Sequence, residues 1–284
     1  MDKKVLLKRM KGNPFFVIGA ILALVILIVC FCSPLFIRFN PIVNSTAEKL
    51  HSPEGLKNGL SGHIFGTDQL GRDVLSRLLI GGRFSLLIAF IVVILQTLIG
   101  TILGIIAGYI GGIVDSVIMR LCDVFLAIPN LILAIAIMSV LGSSPKNLVI
   151  VLVVSGWVSY CKVTRNSVRV VKNQDFVHAS QVMGAGKMHI MMTQIFPNVT
   201  TNLIILASQE IGNTILIEAA LSFLSLGIQP PTPSWGNMIS TGRTYLMVRP
   251  WLVLVPGIAL MLTVLAFNFL GDGLRDVFDP KRVS

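Results

Sequence analysis

Long apolar runs alternate with short polar segments along almost the whole chain. Six runs carry little or no charge, at residues 15–37, 84–107, 124–141, 148–161, 203–226 and 251–270. A helix of about 20 predominantly apolar residues crosses the roughly 30 Å hydrocarbon core of a bilayer. The pattern therefore predicts an all-α integral membrane protein with six transmembrane helices, of which residues 148–161 form the weakest.

The positions of the basic residues predict how these helices are oriented. Charged residues make up 13% of the 284 residues, about half the share expected of a soluble domain, so lipid covers much of the surface. With the N-terminus inside, 14 of the 23 Lys and Arg residues flank cytoplasmic ends of the runs, in agreement with the positive-inside rule. We therefore predict cytoplasmic termini and a retained first span rather than a cleaved signal peptide. The net charge of +10 then reflects topology, not nucleic-acid binding.

Glycine and proline interrupt the runs at positions that predict packing and bends. Gly100, Gly104 and Gly108 recur at four-residue spacing and would give one helix a flat strip for a close neighbour. Pro129 predicts a kink in the third span, and Pro256 predicts one in the sixth. We also expect a short helix along the membrane at residues 73–79, and Trp235 and Trp251 are expected at the membrane interface.

The polar segment at residues 172–197 has the pattern of an amphipathic helix pair. Apolar residues recur at near-helical spacing between polar ones, which is typical of a surface helix and not of a span. Gly184 and Gly186 predict a turn between two short helices, and Pro197 is expected to end the second one.

Sites of nucleotide or metal chemistry are not indicated. Residues 184–188 read GAGKM, but a phosphate loop would need Gly where Gln181 stands and Ser or Thr in place of Met188. The four His residues lie in separate segments, and the four Cys residues form no CxxC pair. We predict that this chain binds neither ATP nor a metal ion and has no catalytic residues.

Three carboxylates in or near the spans are candidate pore-lining or helix-contact residues. Glu210 and Glu218 lie within the fifth run, where a charged side chain is costly and normally faces a polar interior. Eight residues apart, they project about 80° apart on a helix, so one broad face could hold both. Asp123 is the third, with Arg120 as its expected partner. A structural role and a pore role remain open for all three.

Four stretches resemble the permease subunits of ABC importers. Residues 175–197 are similar to that family's cytoplasmic loop, whose pattern is Glu-Ala-Ala, then Gly four residues later and Pro thirteen beyond. Ala179 and Ser180 stand at the two Ala positions, Gly184 and Pro197 keep the spacing, and His178 replaces the Glu. Residues 65–83, 220–243 and 262–280 resemble the dipeptide, oligopeptide and nickel permeases, specifically the shorter of the two paired subunits.

The resemblance implies a type I permease fold with a cytoplasmic coupling helix pair and a set of partners. These are a homologous permease that completes a heterodimer, two ATPase subunits that use ATP and Mg²⁺, an extracytoplasmic binding protein, and the lipid of a bacterial or archaeal plasma membrane. The ATPase-coupling residues would be Asp175, Phe176, His178, Ala179, Ser180, Met183, Gly184, Ala185, Gly186, Met188 and Pro197. The expected regions are 1–82, with the first span and an outer loop, a core at 83–271, and a cytoplasmic tail at 272–284. Within the core, 162–198 would be the coupling loop and 227–250 an outer loop.

The predicted function is therefore peptide import driven by separate ATPases, and alternatives remain. Nickel or metal-chelate importers share the same signatures. A secondary transporter could use the carboxylates within the spans, but such folds often contain repeated halves, and the sequence shows no repeat. A membrane scaffold fits the interrupted helices less well, and a membrane enzyme lacks paired catalytic groups.

Overall fold

The computed structural model describes residues 3–35, 37–55 and 62–278, with side chains from residue 8 onward. The predicted tail at residues 272–284 is therefore seen only to Phe278, and Lys281 and Arg282 lie outside the described residues. The helices are α1 Lys3–Gly12, α2 Pro14–Phe31, α3 Val74–Ile110, α4 Gly112–Leu126, α5 Asn130–Leu141, α6 Pro145–Lys172, α7 Asp175–Val182, α8 Lys187–Ile190, α9 Phe196–Phe223, α10 Trp235–Gly242 and α11 Trp251–Phe278. A single π-helical stretch, Met191–Ile195, joins α8 to α9.

Five of these helical segments are long and apolar enough to cross a membrane: α2, α3, α6, the continuous Lys187–Phe223 helix and α11. The α4–α5 pair gives a sixth candidate span if the two helices are counted together. They meet at an angle of 84°, so the third span is broken, not merely kinked as predicted. Pro129 lies at the start of α5, where its ring is compatible with the first helical turn.

Helix α3 corrects the prediction of a separate surface helix at residues 73–79. The helix runs unbroken from Val74 to Ile110, and the Asp73 carboxylate caps its start by accepting from the Ser76 backbone N–H at 2.7 Å. The helix continues through Gly82, where a Cβ atom would lie 2.5 Å from the Trp235 ring. This glycine therefore permits a close contact with Trp235 and does not mark a turn.

The contact between α3 and α6, here called the α3–α6 seam, is a close helix packing that three glycines make possible. Cβ atoms on Gly100, Gly104 and Gly108 would lie 2.5, 2.6 and 2.9 Å from the nearest atoms of α6. Without those atoms the two backbones approach directly. Half of an 18-residue apolar segment of α6 is buried within the chain. Because these residues face neighbouring helices and not lipid, a weakly apolar run can still form a long helix.

Ion pairs join α4 to α6 beside this seam. The Asp115 carboxylate accepts from Arg165 and from the Arg169 Nη2, the latter at 2.6 Å. The Lys162 ammonium donates to Asp123 at 3.1 Å, so the predicted pairing of Asp123 with Arg120 is wrong. Asp123 therefore contacts a helix across the interface and not a residue one turn away.

The remaining corrections concern the ends of spans. The first span ends at Phe31 and not at residue 37, because the chain enters a 3-10 turn at Ser33–Leu35. Trp235 is buried and donates from Nε1 to the Leu78 carbonyl at 2.9 Å, so it anchors α10 on α3 and does not lie at the lipid interface.

Candidate functional site

The segment between α6 and α9, residues 173–195, is called the inter-span loop. It contains α7, a turn at Met183–Gly186 and α8. Gly184 has φ of +83°, a conformation that residues with a side chain rarely adopt. The second helix does not end at Pro197 as predicted, since α8 continues through the π-helical stretch into α9 and Pro197 lies in the first turn of α9.

The inner side of the inter-span loop is packed firmly against the spans. Val177, Ile190 and Ile195 are fully buried in the same hydrophobic cluster as Tyr109 of α3. Gln194 Nε2 donates to the buried Ser180 hydroxyl at 2.5 Å, which ties α7 to the π-helical stretch. The inner side of the loop is therefore part of the hydrophobic core.

Its outer side exposes five large apolar side chains. The exposed fractions are 47% for Phe176, 88% for Val182, 79% for Met183, 68% for Met188 and 58% for Met192. These five side chains are called the loop face. Several large apolar side chains exposed on one short segment are typical of a protein-binding site, and Met side chains adapt to partners of changing shape.

Most of the predicted coupling residues lie on this exposed side. Asp175, Phe176, His178, Ala179, Met183, Gly184, Gly186, Met188 and Pro197 are exposed, Ala185 is half-buried, and Ser180 is buried. Val182 is the most exposed member of the loop face and was missed from the sequence. The signal that the sequence offered was an apolar residue at the end of α7, off the face that holds the buried Val177 and Ser180.

A second surface, which the rest of the chain covers only in part, runs along α9. Asn202, Gln209, Glu210 and Asn213 lie on one side of this helix, where Asn202 and Asn213 are exposed and the other two half-buried. We call these residues the α9 stripe. Asn202 donates to the Ser167 hydroxyl at 2.9 Å. Polar side chains within a span are costly in lipid, so this side of α9 requires a polar cavity or a protein neighbour.

Glu218 does not share that surface, although it lies only two turns away. Its side chain is completely buried against α3, where the Ser85 and Ser222 hydroxyls donate to its two oxygens at 2.9 and 2.8 Å. The prediction that one face could hold both carboxylates is therefore wrong. Glu218 is a helix-contact residue, and Glu210 is the carboxylate left on the open side.

The described part of the chain offers no group of three His, Cys, Asp or Glu side chains that could hold a metal ion. Its four cysteines are free thiols, and three of them are buried among apolar side chains. The loop face presents apolar side chains, and the α9 stripe presents amides and one carboxylate. Both surfaces are suited to binding and not to catalysis.

Comparison with known proteins agrees with this geometry. Residues 100–284 match the family described as "Binding-protein-dependent transport system inner membrane component". The chain is 45% identical over 271 residues to the dipeptide transport system permease protein DppC of Escherichia coli (strain K12), covering 95% of this chain and 90% of that protein. It is 40% identical to the di/tripeptide transport system permease protein DppC of Pseudomonas aeruginosa (strain UCBPP-PA14), over 93% and 88% of the two chains.

A third relative is named for a different substrate. The glutathione transport system permease protein GsiD of Shigella flexneri serotype 5b is 44% identical over 236 residues, or 83% of this chain and 78% of that protein. The sequence resemblance to permeases is thus confirmed, and with it a multi-pass, all-α membrane protein. The chain belongs to the binding-protein-dependent transport system inner membrane components, as an ABC importer permease of the dipeptide class with the type I fold.

Proposed function

We propose that this chain is one of two homologous permease subunits that together enclose a path for di- or oligopeptides across the plasma membrane. Two ATPase subunits, which bind ATP and Mg²⁺, drive the cycle, and an extracytoplasmic binding protein delivers the substrate. The relatives named above carry dipeptide, di/tripeptide and glutathione in their names, which favours peptides over nickel or metal chelates. Family membership also favours this function over that of a secondary transporter.

The observation that carries this proposal is the combination of a fixed inner side and an uncovered apolar face on the inter-span loop. Val177 and Ile190 anchor the loop in the core, while Met183 and Met188 are mostly exposed. A partner that seats on Met183 can therefore push or pull directly on α6 and α9. This is the property that an element coupling ATPase closure to helix movement must have.

The orientation follows from the same assignment. If the loop face meets the ATPases, the inter-span loop is cytoplasmic, and so are α1 and the end of α11. The basic residues Lys8, Arg9 and Lys11 of α1 support this orientation through the positive-inside rule. The α9 stripe then lies within the membrane on the side facing the second permease and the path.

A matched pair of substitutions tests the docking assignment. Met183→Asp places a charge on the loop face, and Met247→Asp places the same charge on the loop before α11, where Met247 is 97% exposed. We expect Met183→Asp to lower both co-purification of the ATPases and peptide uptake at least about tenfold, because an unpaired carboxylate in an apolar contact is costly.

The amount of inserted protein should not change in either variant, because both side chains are exposed. Met247→Asp should retain the ATPases. If Met183→Asp keeps the ATPases and the uptake rate of the wild type, the loop face is not the docking surface. Point substitutions are preferable to deleting residues 175–197, since the deletion also removes the buried Val177, Ile190 and Ile195.

A further inference from the structure

Glu210 is a carboxylate within a span that the described chain leaves without a cation. Asn213 Nδ2 donates to its Oε2 at 3.1 Å, and Oε1 accepts no hydrogen bond from the described residues. Throughout residues 8–35, 37–55 and 62–278, no Lys, Arg or His forms an ion pair with it. An ionised carboxylate away from bulk water is costly unless a cation or several hydrogen-bond donors compensate it.

Three other carboxylates in and beside the spans are compensated within the chain. Asp115 has two arginines and Asp123 has Lys162. Glu218 receives a hydroxyl hydrogen bond on each oxygen. Glu210 differs from them in two respects, since it is half-buried on the uncovered α9 stripe and one of its oxygens is unused.

We propose that Glu210, positioned by Asn213, is a cation-binding point on the translocation path that attracts the ammonium or guanidinium groups of basic peptides. This inference rests on the proposed function and adds a charge preference to it. A single carboxylate with one amide neighbour gives a weak site, and a substrate in transit needs a contact that it can leave quickly. Basic side chains should therefore pass the permease more readily than acidic ones.

The experiment compares uptake of two dipeptides, alanyl-lysine and alanyl-glutamate, by the complete transporter reconstituted with its binding protein. The quantity measured is the ratio of the two uptake rates in the wild type and in Glu210→Gln. Any preference of the binding protein is the same in both, so a change in the ratio reports on the permease alone. We expect the ratio to fall about fivefold or more in Glu210→Gln, mainly through slower uptake of alanyl-lysine.

Two further variants act as controls. Glu210→Asp keeps the charge and should keep a lysine preference, which separates loss of charge from loss of folding. Glu218→Gln changes a carboxylate on the same helix that faces α3 and not the stripe, so the ratio should stay at the wild-type value. The yield of assembled complex is measured for each variant.

Each other outcome overturns the inference in a distinguishable way. An unchanged ratio in Glu210→Gln, with both peptides still transported, would refute the charge preference and leave the proposed function standing. An equal loss of both peptides together with loss of the second permease would assign Glu210 to a subunit contact. If the wild-type transporter carries neither peptide, the proposed function fails and the inference with it.

Discussion

The α3–α6 seam and the loop face differ in the size of their residues and in what those residues contact. In the seam, glycines let two backbones meet, and a Cβ atom on Gly104 would already lie 2.6 Å from Thr164. On the loop face, large side chains such as Met183 stand mostly in the open. The chain completes its own packing in the seam and leaves it incomplete on the loop. Changes in the seam should therefore destabilise the protein, and changes on the loop face should affect its partners.

The largest effect is expected where the seam is overfilled. Gly104→Leu would force a four-carbon side chain against α6 backbone and the Thr164 side chain, at a cost of about 3 kcal/mol, the upper end of the usual range for overpacking. We expect little folded protein in detergent extracts, measured by the yield of monodisperse protein. Gly257→Leu is the control, because a Cβ atom there meets no other atom within 4 Å. Equal yields for the two variants would contradict the close approach of α3 and α6.

An intermediate effect is expected at the buried end of α9. Glu218→Ala leaves a cavity beside Ser85 and removes an acceptor for two buried hydroxyls, which together cost about 2–4 kcal/mol. Its thermal midpoint in detergent should fall by several degrees, because in a protein of this size each kcal/mol of lost stability lowers the midpoint by a few degrees. Glu210→Ala, on the open stripe, should change the midpoint much less. A larger loss for Glu210→Ala would reverse the roles assigned to the two carboxylates.

The smallest effect is expected at His178, where the family pattern has Glu. The side chain is exposed on α7, so His178→Glu should change the free energy of unfolding by less than about 0.5 kcal/mol. Peptide uptake should stay within about twofold of the wild type, since the apolar loop face is unchanged. A thermal midpoint shifted by several degrees would show that position 178 contributes to the packing of the loop after all.

The sequence predicted the spans because lipid imposes a length and a composition that can be read directly. It placed the cores of α2, α3, α6, α9 and α11, and it identified residues 172–197 as a surface segment. It failed where a residue has two uses. Pro197 looks like a break in a helix, yet it fits the first turn of α9.

The pairing of charged residues was also beyond the sequence. Arg120 is three residues from Asp123 and is the natural local partner, but Lys162 reaches Asp123 from another helix. Likewise, helical geometry gives the angle between Glu210 and Glu218, but it does not say which neighbouring helix, if any, packs against each side chain. Those neighbours follow from the packing of α9 between α3 and α11, which the one-dimensional pattern does not specify.

The most direct test of the account is to cross-link the loop face in the assembled transporter. A cysteine at position 183, introduced as Met183→Cys, is treated with a short thiol-to-amine cross-linker, and Met247→Cys serves as the control on the opposite loop. The account predicts an adduct with an ATPase subunit from Met183→Cys and none from Met247→Cys. If position 183 is instead labelled from outside intact cells by a reagent that does not cross the membrane, the loop face is on the wrong side and the coupling role is refuted.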